Sequence, residues 1–195
     1  MTRYAIAGSG SIGTALARLF ARAGVEVDIA NTRGPETIDP IGPGVRPVTM
    51  EAALTSDVIF MAVPFGAVAR FGGQLPDWTG KTVVDMTNAH YSPGSAEILR
   101  GRLSAHYAAE QLPGADVVKA FNHLAAADLA AEIDSAVGRR VIFIATDVPA
   151  AGDRIAELVG ALGLAAVQLG RIDEGGRLIQ APHALVLRNL IELAG

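Results

Sequence analysis

By residue 24 the chain has passed through a strand pattern, a G-x-G-x-x-G turn and a helix pattern, in that order. Tyr4-Ala5-Ile6-Ala7 is a short apolar run and Gly8-Ser9-Gly10-Ser11-Ile12-Gly13 is the turn. Ile12, Ala15, Leu16, Leu19, Phe20 and Ala23 then recur at helical spacing up to a stop at Gly24. A helix that begins on such a turn directs its free N–H groups and the positive end of its dipole at one point, which suits an anionic pyrophosphate. Each glycine has a physical role there. Gly8 permits the tight turn, Gly10 lets backbone approach the pyrophosphate, and Gly13 lets the helix pack closely on the sheet. Residues 8–13, Ser9, Ser11 and Ile12 included, form a dinucleotide-binding loop.

The next strand selects the dinucleotide. Val25-Glu26-Val27-Asp28-Ile29-Ala30 ends where an NAD-specific protein projects an acid to the ribose 2′-hydroxyl. Here that end reads Asn31-Thr32-Arg33. A carboxylate would repel a 2′-phosphate, whereas Asn31 and Thr32 offer hydrogen bonds and Arg33 a planar, bidentate fork. Asp28 lies inside the strand rather than at its end. The expected cofactor is NADP(H), and loss of Arg33 should weaken it about tenfold to a hundredfold, the worth of one charge-assisted hydrogen bond.

Half of the 195 residues are apolar and 18% are charged, so the chain can bury a sizeable core. With no cysteine, it has no thiol catalysis, Cys-based zinc site or disulfide. A formal charge of −4 without a basic run argues against nucleic acid and anionic membranes as partners. Met1-Thr2-Arg3 leads directly into a strand, leaving no room for a signal peptide, and no apolar segment approaches the ~20 residues of a membrane span. A soluble, cytoplasmic protein is expected.

Strand-like and helix-like segments alternate almost to the end. Strand patterns fall at 45–49, 57–63, 81–87, 116–121, 140–146 and 165–169, and helical ones at 50–54, 95–112 and 149–162. The expected fold is α/β, a Rossmann-type doubly wound parallel sheet over residues 1–170. Residues 171–195 form a C-terminal extension with a terminal helix over 176–194, completing the acceptor site or a dimer contact. Leu185, Val186, Leu187, Leu190, Ile191 and Leu193 crowd that extension and predict a homodimer.

In an open α/β sheet the ligand crevice lies outside the carboxyl ends of the strands. Three such ends carry unusual residues: Val63-Pro64-Phe65-Gly66, Asp85-Met86-Thr87-Asn88 and Lys119-Ala120-Phe121-Asn122-His123. All three should converge near the nicotinamide, with Val63, Pro64, Asn88 and Ala120 on the cofactor and Asn122 and His123 on the reacting acceptor. No Ser/His/Asp triad or metal cluster follows from spacing, so no metal is required.

The glycine loop, Asn31-Thr32-Arg33, Ala62-Val63-Pro64-Phe65, Asp85-Met86-Thr87-Asn88 and Val117-Val118-Lys119-Ala120-Phe121-Asn122 together resemble the NADPH-dependent coenzyme F-420 reductases and their relatives, over nearly the whole chain. The resemblance implies hydride transfer between C4 of nicotinamide and C5 of a 5-deazaflavin, a reaction that asks for positioning more than for acid/base chemistry. Ala89 stands where those relatives commonly have proline, and His123 where a small hydroxylated residue often follows Phe-Asn, so the small-molecule acceptor can differ. A flavin or quinone reductase of the same family, a non-catalytic NADP(H)-binding sensor or subunit, and a β-hydroxyacid or imine reductase type of enzyme are the alternative readings.

Overall fold

The computed structural model describes residues 2–134 and 136–194. Its strands are β1 (Tyr4–Ala7), β2 (Val27–Ala30), β3 (Val45–Pro47), β4 (Val58–Met61), β5 (Thr82–Asp85), β6 (Asp116–Ala120), β7 (Gly138–Thr146), β8 (Ala165–Gln168) and β9 (Ile191–Leu193). Its α-helices are α1 (Ser11–Ala23), α2 (Met50–Ala53), α3 (Val68–Gly72), α4 (Ser95–Leu99), α5 (Ser104–Gln111), α6 (Ala126–Ala130) and α7 (Pro149–Ala161). The main sheet runs β3-β2-β1-β4-β5-β6-β7-β8, and β3 through β6 are mutually parallel.

Strands β4 and β5 are buried at every position because the sheet is covered on both faces. Side-chain alternation divides them between two cores. Ile6, Phe60, Val84 and Val118 face one cluster with Leu16 and Phe20 of α1 and Ile155 of α7. Ala5, Ala7, Ile59, Met61 and Val83 face the other, with Phe71 of α3 and Trp78. The layered α/β architecture expected from the alternation of elements is what forms.

Three features differ from expectation. Strand β7 pairs antiparallel with β6, so the sheet is mostly rather than wholly parallel. The connection before it contains only the five-residue α6. Such a helix rises about 7.5 Å, short of the ~16 Å that would return the chain to the amino edge. Strand β7 therefore enters from the carboxyl edge. The helix expected over 95–112 is broken into α4 and α5 where Arg100 and Gly101 adopt φ of 49° and 82°.

The terminal helix is likewise mostly absent. Only a 3-10 turn at Gly175–Ile179 is helical, and Ile191–Leu193 pairs antiparallel with the start of β7 instead. Pro182 cannot donate the backbone hydrogen bond a helix needs there. Residues Ile179 and Leu185 pack on Val141, Phe143 and Ala145 in a small core of their own. The extension thus lies over the part of the sheet next to the loop after β6. No helix among the described residues is long and apolar enough to cross a membrane.

Candidate active site

Strand order reverses between β1 and β4, so a crevice opens above their carboxyl ends. The glycine loop is built against that point. Gly8 has φ of 124°, and a Cβ on it would strike the backbone carbonyl of Ala62. Gly13 sits so close to the Gly8 carbonyl that a Cβ would lie 1.9 Å from its oxygen, far inside van der Waals contact. A Cβ on Gly10 would meet no protein atom within 4 Å. Gly8 and Gly13 therefore serve packing, while Gly10 faces open space. No side chain caps α1 at Gly10, and its first turn holds no acid, so its leading N–H groups face the crevice without a protein carboxylate.

Two lobes meet along this crevice. The first, about 270 Å³, is lined by Gly8, Ser9 and Gly10, by Asn31, Thr32 and Arg33, and by Ala62, Val63, Pro64, Ala67 and Arg70 across from them. Asn31 is committed to the loop itself. Its Nδ2 donates to Ser9 Oγ at 2.8 Å and Thr37 Oγ1 at 3.0 Å, and its Oδ1 accepts from the backbone N–H of Arg33 and Gly34. Both amide protons are used, so Asn31 shapes the turn and leaves no donor for a ligand, contrary to expectation. Thr32 and Arg33 are exposed in the lobe. Asp28 is turned away and holds Arg46 at 2.9 Å on β3.

The second lobe, about 460 Å³, shares Gly10, Ala62, Val63 and Pro64 with the first and continues past Ser11 and Ile12 to Met86, Thr87, Asn88 and Tyr91. Two of the three expected strand ends converge here. The third supports them from behind. Asn88 Nδ2 donates to the Asn122 carbonyl at 2.7 Å, and Asn122 Nδ2 donates to Asn88 Oδ1 at 3.2 Å and to the Ile179 carbonyl at 2.6 Å. Asn122 is 2% exposed, so it holds Asn88 and the C-terminal extension together without reaching the lobe. Ala120 is fully buried in the core and does not line the crevice.

Below Asn88 lies an ion pair not foreseen as a unit. Lys119 Nζ donates to Asp85 Oδ2 at 2.9 Å and to the Thr87 carbonyl at 2.5 Å, with both side chains buried. Burial pushes the Lys119 ammonium below its ordinary value, and Asp85 pulls it back up. The signal was present in the sequence, since Asp85 and Lys119 are charges at or next to the carboxyl ends of consecutive apolar strands, and they are direct cross-strand partners. Tyr91, 61% exposed at the rim of the second lobe, and Arg70 in the first were also missed. Both are on short helical turns whose direction the sequence pattern does not reveal.

His123 requires a correction. It is fully buried, its ring stands edge-on to Phe143 at 4.9 Å, and its Nε2 faces the Val141 carbonyl at 3.3 Å. A carbonyl only accepts, so Nε2 carries the proton, and the ring points away from both lobes. It is not placed to touch an acceptor. Burial pushes its imidazole down to about 4, with the Val141 carbonyl pulling weakly the other way. The folded state therefore disfavours the proton that the unfolded chain takes up near pH 6.5. Stability from this group is complete above pH 6.5 and is lost as pH falls through about 4. Wild-type protein should lose about 3 kcal/mol more than a His123→Leu variant between pH 7 and pH 3.5 in urea titrations. Parallel losses in the two proteins would show that His123 is not a buried neutral group.

The family described as "NADP oxidoreductase coenzyme F420-dependent" matches residues 3–89. Among solved structures, a hypothetical protein from Sinorhizobium meliloti is 43% identical with a TM-score of 0.92, covering 98% of this chain and 96% of that one. A candidate F420-dependent NADP reductase from Arthrobacter sp. FB24 is 21% identical with a TM-score of 0.69, covering 92% and 90%. A reductive aminase from Aspergillus terreus, in complex with NADPH and ethyl levulinate, shares the fold at 22% identity and a TM-score of 0.59. It is matched by 88% of this chain over 55% of its own length. No curated protein sequence matches the chain. Fold, crevice and relatives define a Rossmann-type protein of the NADP-dependent oxidoreductase class. The chain belongs to the coenzyme F420-dependent NADP oxidoreductase family.

Proposed function

We propose that this protein transfers a hydride between NADP(H) and a planar redox acceptor, a deazaflavin or a molecule of similar shape. The observation that carries the reading is the two-lobed crevice whose shared wall is Gly10, Ala62, Val63 and Pro64. Its first lobe suits a phosphorylated adenosine, because Thr32 and Arg33 face it and no carboxylate lines it. The uncapped start of α1 and the open space at Gly10 suit a pyrophosphate. The second lobe suits the nicotinamide with an acceptor ring above it.

When bound, the nicotinamide supplies the hydride. The chain's own part is positioning. Val63 and Pro64 form one wall of the second lobe, and Asn88, held from behind by Asn122, presents polar atoms at another. Tyr91 offers an exposed aromatic face where a flat ring could stack. Apart from the Tyr91 phenol at the rim, no ionisable side chain among the described residues lines the second lobe, which accords with a transfer that rests on positioning. The C-terminal extension supports the site through the bond between Asn122 and Ile179.

We further propose that two copies associate through that extension, where Leu187, Leu190 and Leu193 are 60%, 45% and 74% exposed. Sedimentation should give a dimer, and a monomer would contradict this contact. The functional test follows NADPH oxidation at 340 nm with a 5-deazaflavin, flavin mononucleotide and a quinone offered in turn. Turnover fastest with the deazaflavin is expected. Turnover fastest with flavin or quinone would reassign the acceptor, and saturable NADPH binding without turnover on any of them would support a sensor.

A further inference from the structure

We propose that Arg70 is a second cation of the 2′-phosphate site, closing on the phosphate from the wall opposite Arg33. The inference rests on the NADP(H) reading above. Helix α3 has its rotation set by packing, since Val68 and Phe71 are buried and the Phe71 ring lies 5.2 Å from that of Trp78. Residues three apart share a helix face, so Arg70 falls beside Ala67, and both line the first lobe. Arg33 enters the same lobe from the loop after β2.

Charge makes the pairing informative. Arg22, Arg46, Arg102, Arg139 and Arg171 each have an Asp or Glu within 4.0 Å. Among the described residues Arg33 and Arg70, like several other arginines such as Arg18 and Arg154, have no such partner; what sets these two apart is that both line one lobe, and that no Asp or Glu lines it. Two guanidinium groups thus face one cleft of about 270 Å³ with no protein counter-ion. A phosphomonoester carries a charge of about −1.5 to −2 at neutral pH, which matches two such groups, and each fork can take two of its oxygens. NADH, with a neutral hydroxyl at that place, gains nothing from either. Arg70 is therefore a specificity residue for the phosphorylated coenzyme rather than a general contact for dinucleotides.

Calorimetric titration of the full chain with NADPH and with NADH tests this without any acceptor. Arg70→Ala should raise the NADPH dissociation constant about tenfold to a hundredfold and leave that for NADH within about twofold. Its thermal melting should match wild type, because the side chain is exposed and unpaired within the fold. Equal weakening of both coenzymes would mean that Arg70 stacks on the adenine, and unchanged NADPH binding would mean that it touches nothing. Either result overturns the proposal. The Arg33→Ala variant separates the levels: if wild type prefers NADPH and Arg33→Ala loses the preference while Arg70→Ala keeps it, only the role of Arg70 falls. If wild type itself shows no preference, the NADP(H) reading falls first.

Discussion

Gly13→Ala will unfold the protein or cost it more than about 4 kcal/mol, whereas Gly10→Ala will leave its stability within about 1 kcal/mol and remove tight NADPH binding. The two glycines belong to one motif and are three residues apart, yet they fail for opposite reasons. A methyl group on Gly13 is driven into the backbone carbonyl of Gly8 and against Ile6, where neither the turn nor β1 can yield. Overpacking against backbone has no rotamer to relax into. Gly10 has an ordinary φ of −76° and nothing within 4 Å of an added Cβ. Alanine fits the apo fold there and obstructs only what occupies the open space, with an expected affinity loss of about tenfold to a hundredfold. Urea melts of both variants, with NADPH titration of Gly10→Ala, read the two effects separately. Equal destabilisation by both substitutions would contradict the assignment of Gly10 to the ligand.

Lys119→Met should cost about 3–5 kcal/mol. Removal of the ammonium leaves Asp85 charged, fully buried and without its partner, and takes a donor from the Thr87 carbonyl. The penalty belongs to the stranded carboxylate more than to the bond. A Lys119→Met, Asp85→Leu double variant should therefore recover most of the loss, since apolar replacement of both members of a buried pair is often close to neutral. Chemical denaturation of both variants measures the coupling. Additive losses in the double variant would show that the two residues act independently.

The glycine loop, the Asn31-Thr32-Arg33 turn and the apolar strands are legible because their signals are local: spacing, strand ends and uninterrupted hydrophobic runs. Even the tight turn at Gly8 and the close packing at Gly13 could be assigned from their order. What escaped depends on chain direction beyond a strand end. Phe121 adopts φ of 61°, a conformation that bulky residues rarely take, and nothing in the sequence marks it. That turn tucks His123 under the C-terminal extension rather than into the crevice. Asn122 consequently braces Asn88 instead of meeting an acceptor. Asn31 was read as a ligand donor because its residue type permits it, but its amide is consumed by Ser9 and Thr37, a competition visible only once the loop is closed. Arg70 lines the first lobe because the packing of Val68 and Phe71 sets the rotation of α3, which the short helix does not announce in sequence.

The most direct test is calorimetric titration of the intact chain with NADPH and, separately, NADH at low ionic strength. Saturable binding of one NADPH per chain, at least about tenfold tighter than NADH, is the expected result, because the free guanidinium of Arg33 faces a lobe without acids. No saturable uptake of either coenzyme, or binding of NADH as tight as that of NADPH, would contradict it.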